Sequence, residues 1–94
     1  MTLKIIQIVT HLNIHDAIGN DILAIDEVLK KHGYNTLIMA SNTHEALRNR
    51  AKDLDFSHVD TDDLVLFHKG SGDKITKQIA ALPCKRIMIY HNIT

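Results

Sequence analysis

The sequence predicts an α/β domain built on a mostly parallel sheet of four or five strands. Two observations carry this prediction. Short runs rich in Ile, Val and Leu alternate along the chain with segments whose apolar residues recur every three or four positions. These runs are apolar throughout, which is typical of parallel strands that are covered on both faces. Strands that alternate with helices favour a doubly wound sheet with right-handed crossovers.

The first unit is a strand, a loop and an amphipathic helix. Residues 3–9 form the first predicted strand, which we expect to lie centrally in the sheet. A helical stripe begins at Ile18, and Gly33 ends this helix after a basic turn. Residues 10–17 form a connection of eight residues, whereas such loops usually take about two to six, so we interpret it as a functional loop. The predicted buried stripe is Ile18, Ile22, Ile25 and Leu29, widened by Leu23 and Val28, and the predicted solvent side is Asp21, Asp26, Glu27, Lys30 and Lys31.

The middle of the chain is less regular. Residues 34–40 restart the strand pattern, and residues 41–43 are polar groups suited to capping a short helix that would run to Ala51. Residues 51–63 are polar and acidic. We interpret them as a crossover at the edge of the domain, with room for a small edge strand.

The last part of the chain predicts a second helical crossover between two strands. Residues 64–68 form another central strand, a helix starts near Gly72 and stops at Pro83, and residues 86–90 form the last strand. We expect the first strand to lie between the second strand and the strand at 64–68, with the last strand beyond. The fold class is therefore a Rossmann-like three-layer sandwich, and residues 1–94 form a single domain.

The composition limits the function and the compartment. Eleven Lys and Arg balance eleven Asp and Glu, and two Phe and two Tyr with no Trp are too few for stacking bases, so a nucleic-acid partner is not expected. Cys84 stands alone, which favours a reducing compartment. The apolar runs are too short to span a bilayer. We expect a cytoplasmic protein, with peripheral attachment to a membrane left open.

Histidines end two of the predicted strands. Among the seven histidines, His68 closes LVLFH and His91 closes IMIYH, and Asn92 follows. Because parallel strands bring their carboxyl ends to one edge, an imidazole there could act as a base or hold a hydroxyl. The alternative is that each histidine caps its strand and contacts water. Gly19, at the start of the first helix, would let a ligand approach the helix amides.

The turn before the second helix is a second candidate site. Gly70, Ser71 and Gly72 could bind an anion through backbone N–H groups, with charge from Lys69 and Lys74. A flexible turn explains the same residues equally well. Neither GxGxxG nor GxxxxGK[ST] is present in the sequence. Histidines 11 and 15 offer too few ligands for zinc, so we expect no metal.

Three stretches of the sequence carry a family resemblance: LKIIQIVTHLN…DAIGNDILAIDEVLKKHGYNTLIMA, DDLVLFHKGSG…IAALP and RIMIYHNIT. In these stretches the chain resembles the amino-terminal lobe of the two-lobed (GT-B) glycosyltransferases of the group 1 family, and the similarity covers essentially the whole chain. The resemblance implies a transferase that moves a sugar from a nucleotide-sugar donor to a sugar or lipid-linked acceptor. Two Rossmann-like lobes then face each other across a cleft, and the amino-terminal lobe mainly receives the acceptor. No cofactor is implied.

The resemblance also implies roles for individual residues. The loop at Ala17, Ile18, Gly19 and Asn20 would face the donor phosphates and the reacting sugar, although the family often has two adjacent glycines there and this chain has one. His91 would lie near the reacting sugar as the candidate catalytic residue, with His68 and Asn92 on the acceptor side. The donor-binding lobe has no counterpart in these residues, so we expect the chain to be a fragment or a remnant that is inactive by itself.

Two other functions stay open at this point. The chain could be a non-enzymatic α/β module that binds a nucleotide or a phosphorylated small molecule at residues 70–72. It could also be a structural pairing domain. Because no helix follows the last strand in this sequence, that strand is an uncovered edge, and we expect it to support a homodimer of the isolated domain.

Overall fold

The structure is a computed structural model that describes residues 3–69 and 75–91. Within these residues, five strands form a single sheet in the order β3-β2-β1-β4-β5, and every pairing is parallel. The predicted fold class and the order of the four main strands are therefore confirmed. In chain order the elements are β1 (Lys4–Leu12), α1 (Ala17–Lys31), β2 (Asn35–Thr43), a 3-10 turn (Glu45–Leu47), β3 (Lys52–Asp53), a 3-10 turn (Phe56–His58), β4 (Leu64–Lys69), α2 (Thr76–Ala80) and β5 (Lys85–Tyr90).

The core lies on both faces of the sheet, which makes three layers. Ile6 and Ile8 of β1 and Phe67 of β4 point to the α2 side, where they pack with Ile79 and other apolar residues. On the α1 side the buried cluster is Val9, Leu12, Ile22, Ile38, Ala40 and Leu47. Burial on both faces is the reason that β1 and β4 read as continuous apolar runs.

The loop after β1 is shorter than predicted. β1 continues past residue 9 because His11 and Leu12 still pair with Asn42 and Thr43 of β2. Only residues 13–16 separate β1 from α1, and about four residues is an ordinary length for such a loop. The interpretation of an over-long loop was wrong. The predicted short helix, capped by residues 41–43 and running to Ala51, was also wrong, because β2 runs on to Thr43 and only a 3-10 turn follows.

The helix α1 begins and ends as its sequence indicates. The side chain of Asp16 accepts a hydrogen bond from the Ile18 N–H at 3.1 Å, which is a common N-cap. Gly33 has φ of 85° and follows the last turn. Within the described ranges 3–69 and 75–91, no helix is both long and apolar enough to cross a membrane.

Two residues of α1 lie on the opposite side from their predictions. Asp26 is 2% exposed instead of facing solvent, whereas Val28 is 55% exposed. The Asp26 carboxylate pairs with Lys30 at 2.9 Å and with Arg50 at 3.4 Å. The burial is tolerated because Arg50, far along the chain, brings a countercharge.

The strand β5 forms an open edge of the sheet. Ile87, Met88 and Tyr90 are 50%, 39% and 72% exposed, and β5 pairs with β4 alone among the described strands. The helix before it, α2, is described from Thr76 to Ala80, so its predicted start near Gly72 lies outside the described residues.

Candidate functional site

The candidate residues His68, His91 and Gly19 lie at the carboxyl edge of the sheet, near the point where the order of the strands reverses. β1 pairs with β2 on one side and with β4 on the other, so the carboxyl ends of β1 and β4 flank a topological switch point. Ligands of open parallel sheets bind outside the carboxyl ends at such a point. His68 is the last residue but one of β4, His91 follows β5, and Gly19 is in the first turn of α1, so all three are at this edge.

His68 and His91 form a hydrogen-bonded pair. Nδ1 of His68 lies 2.9 Å from Nε2 of His91. The two rings are stacked, with centroids 5.1 Å apart and planes at 23°. The backbone N–H of His91 also donates to the Lys69 carbonyl at 3.3 Å, which holds the end of β5 against the end of β4. Two of the predicted site residues are therefore in direct contact.

Gln7 of β1, which was not among the predicted site residues, is the third side chain of this hydrogen-bonded group. Its side-chain Oε1 lies 2.8 Å from Nε2 of His68, and its Nε2 donates to the Ile22 carbonyl at 2.9 Å. Gln7 is two residues before Val9, which is the register partner of His68, so both side chains lie on the α1 face of the sheet. The sequence did indicate a special role for Gln7, because it is the one polar residue in the run IIQIV.

Burial sets the charge state of His68. The residue is 1% exposed, and loss of solvation lowers its pKa to about 4, with a further contribution from His91. The Asp21 carboxylate acts in the opposite direction but does not outweigh burial. His68 is therefore neutral near pH 7 and carries one proton on its ring.

Gly19 has a packing role within the chain. A Cβ built at this position would overlap the backbone carbonyl oxygen of Asn13, so the first turn of α1 lies directly against the loop that follows β1. Gly19 is buried, whereas Ala17 and Asn20 are exposed and Ile18 is half-buried against the α1-side core. The close approach at this glycine in the structure is that of Asn13, and approach by a ligand stays a prediction.

Part of the predicted site is not described. Gly70, Ser71, Gly72 and Asn92 lie outside the described residues, so the anion-binding turn and the role of Asn92 stay predictions. Lys69, at the end of β4, donates from Nζ to the Thr76 hydroxyl at 3.2 Å.

A polar cleft lies at the same carboxyl edge, at the ends of β2 and β3, and β1 separates it from the histidine pair. It has a volume of about 490 Å³. Thr43 has a buried hydroxyl oxygen without a hydrogen-bond partner in the described part of the chain, and Asn42 donates to Nδ1 of His11 at 3.2 Å. The cleft was not predicted, because the second strand was expected to end at residue 40 and β2 continues to Thr43. The lining residues are Ser41, Asn42, Thr43, Arg48, Ala51 and Asp53.

Metal ligands and a reactive thiol are the other chemistries to consider among the described residues. No group of three or more His, Cys, Asp or Glu side chains that could hold a metal is found in residues 3–69 and 75–91. His11 lies on β1 and His15 in the following loop, so they do not share a helical face. Burial raises the pKa of the Cys84 thiol, which disfavours the nucleophilic thiolate.

Comparison with known proteins adds no assignment. No protein-family model, no curated protein and no solved structure matches this chain.

Proposed function

We propose that this chain is the acceptor-side domain of a GT-B glycosyltransferase, in which a second lobe supplies the nucleotide-sugar donor. The observation that supports the proposal best is the pair His68–His91 at the carboxyl edge of a parallel sheet, next to the switch point between β1 and β4. The likeness of the sequence to the amino-terminal lobe of that family agrees with this position.

The chemistry of a sugar acceptor suits the two parts of this edge. An acceptor hydroxyl that reacts with a donor sugar must lose its proton, and a histidine that accepts a hydrogen bond from it can take that proton. The cleft at the ends of β2 and β3, across β1 from the pair, is lined by hydroxyl and amide groups with one cation, Arg48, and one carboxylate, Asp53. This balance favours an uncharged polyhydroxylated ligand, since a strongly charged one would meet repulsion from one of the two.

The proposal predicts binding without turnover. Donor binding and exclusion of water would come from closure of the second lobe over this edge. In the absence of that lobe, the acceptor should bind weakly here, and no sugar should be transferred.

Nuclear magnetic resonance of the full chain labelled with ¹⁵N tests this directly. Glucose, galactose, mannose and N-acetylglucosamine are titrated separately, and UDP and GDP are titrated in parallel. At least one sugar is expected to shift the backbone signals of His68, His91 and residues 41–43, and the nucleotides are expected to leave them unchanged. His91→Phe should weaken that binding, whereas His58→Phe, at an exposed position in a 3-10 turn, should not.

The result also separates the competing function. If UDP or GDP shifts the signals around Lys69 while no sugar shifts His91, the chain is a nucleotide-binding module and the glycosyltransferase proposal is wrong. No contact among the described residues favours that module, because its candidate turn at residues 70–72 lies outside them.

A further inference from the structure

Four polar groups that end at His91 are linked by a continuous series of hydrogen bonds. It starts at the Ile22 carbonyl in α1, passes through the amide of Gln7 in β1 and the ring of His68 in β4, and ends at His91 after β5. Gln7 and His68 are each 1% exposed. Buried polar groups must be paired, so the donors and acceptors along this chain are constrained together.

The Ile22 carbonyl decides the orientation of the first member. A carbonyl only accepts, so the Gln7 group 2.9 Å from it must be the NH₂, and Oε1 faces His68. The reversed amide would place its oxygen against the Ile22 carbonyl oxygen, and the loss of that hydrogen bond in a buried site is costly.

The orientation of Gln7 then decides the proton of each ring. Oε1 of Gln7 accepts, so Nε2 of His68 carries the hydrogen. His68 is neutral, so its Nδ1 has a lone pair, and Nε2 of His91 must donate to it across 2.9 Å. The remaining nitrogen of a neutral His91, Nδ1, is therefore unprotonated. Within residues 3–69 and 75–91 that nitrogen has no hydrogen-bond partner, and His91 is partly exposed.

We infer that Gln7 and His68 are positioning residues that hold His91 in the tautomer with hydrogen on Nε2, so that Nδ1 of His91 accepts a hydrogen bond from a ligand hydroxyl. The hydroxyl oxygen forms a bond to the anomeric carbon of the donor sugar, while the bond from that carbon to the nucleotide phosphate breaks and the phosphate leaves with the electron pair. The proton of the hydroxyl moves to Nδ1, and the resulting imidazolium keeps its Nε2–H bond to His68. The ligand in this inference rests on the proposed function. The tautomer of His91 does not.

Side-chain ¹⁵N spectra of the full chain near neutral pH test the tautomer without any ligand. His91 is expected to show a protonated Nε2 and an unprotonated Nδ1. Two other histidines calibrate the same spectrum. Nδ1 of His32 lies 2.9 Å from the Val28 carbonyl and must carry hydrogen, whereas Nδ1 of His44 accepts from the Ala46 N–H at 3.0 Å. A His91 that is protonated on Nδ1, or that averages both tautomers, overturns the inference.

A pair of identical substitutions tests the role of Gln7. Gln7→Met keeps the length of the side chain but removes the acceptor for His68, so both rings can exchange tautomers and the His91 signals should move toward an average. Gln78→Met, at an exposed position of α2, should leave them unchanged. A folded Gln7→Met variant with the wild-type His91 pattern overturns the role of Gln7. The wild-type spectrum decides the tautomer even if that variant does not fold.

The hydroxyl is tested by adding the four sugars named above. Donation to Nδ1 of His91 should shift that nitrogen and leave His32 unchanged. A sugar that shifts the backbone at this edge but not Nδ1 overturns the hydroxyl contact and leaves the tautomer intact. Absence of any sugar binding counts instead against the proposed function, so the two failures are distinguishable.

Discussion

Nδ1 of His68 lies 2.9 Å from Nε2 of His91, although the two residues are 23 positions apart, with His68 in β4 and His91 directly after β5. The contact forms because β4 and β5 are parallel neighbours whose register places His68 opposite Ile89. Parallel strands in register carry their last side chains to one level of the sheet. A pair of imidazoles at the carboxyl edge is thus a direct consequence of two neighbouring parallel strands that each carry a histidine at or just after their carboxyl end.

Stability should fall as the pH is lowered through the range in which His68 titrates in the unfolded chain. The pKa of His68 is about 4 in the fold, against 6.5 for the free side chain. Its contribution is therefore complete above the unfolded pKa and is lost as protons bind the unfolded state. We expect a loss of about 2 kcal/mol between about pH 7.5 and about pH 5 from this group.

Urea denaturation at the two pH values measures this loss. His68→Gln should show a smaller dependence on pH than the natural chain, and His58→Gln, at an exposed position, should show the same dependence. An equal dependence in all three proteins would contradict the buried neutral state of His68.

The substitution Gly19→Ala should destabilise the protein although alanine favours helices. The added methyl group would overlap the Asn13 carbonyl oxygen, which belongs to the backbone and cannot move without shifting the loop. We expect a loss of about 2 kcal/mol, since the strain exceeds the gain of about 1 kcal/mol in helix propensity. Thermal and urea unfolding provide the measurement. Asn20→Ala, at the exposed next position, should change stability little, and a Gly19→Ala variant as stable as the natural chain would refute the contact.

Among the carboxylates at the start of the sheet, Asp63 should be the one whose substitution lowers the free energy of unfolding most. It accepts hydrogen bonds from the backbone N–H groups of Lys4 at 3.1 Å and Asp60 at 2.8 Å, and it pairs with Lys4 Nζ at 3.0 Å. Burial by itself raises its pKa, but the bonds from Asp60 and Lys4 outweigh burial and hold the pKa below its usual range.

Replacing Asp63 tests this anchor. Asp63→Asn removes the charge and turns a donor toward buried donors, so we expect a loss of about 3 kcal/mol in the free energy of unfolding. Asp62→Asn is the matched control, because Asp62 is the exposed neighbour of the same type. Similar losses for the two variants in urea denaturation would show that the hydrogen bonds of Asp63 do not contribute to the free energy of unfolding.

The open edge at β5 should support weak self-association. Edge strands expose unpaired backbone groups, and this one also exposes Ile87 at 50% and Tyr90 at 72%. Two copies paired antiparallel about a two-fold axis would place the basic start of each β5 beside Tyr90 of the other. Sedimentation at micromolar and near-millimolar concentrations should show dimers that increase with concentration. Ile87→Lys should remove them and Val28→Lys on α1 should not, whereas a monomer at every concentration would disprove the pairing.

Much of the candidate site could have been predicted from the order of the strands. The apolar runs at β1, β4 and β5 are separated by helical segments, and this alternation alone predicts one edge that collects His68, His91 and the start of α1. Gln7 could also have been found, since it is polar within an apolar strand that was expected to neighbour β4. The polar cleft could not, because it depends on β2 pairing with β1 as far as Thr43.

The sequence by itself determined which segments are strands and helices, because apolar periodicity is a property of neighbouring residues and survives without a fold. The tertiary structure alone decided which polar groups are buried and which atoms they meet. Asp26 is buried because Arg50 lies beside it, and the proton on His91 depends on a glutamine in another strand. Hydrogen bonds and ion pairs stabilise a buried group only when both partners are present, and here the partners come together only after the chain has folded.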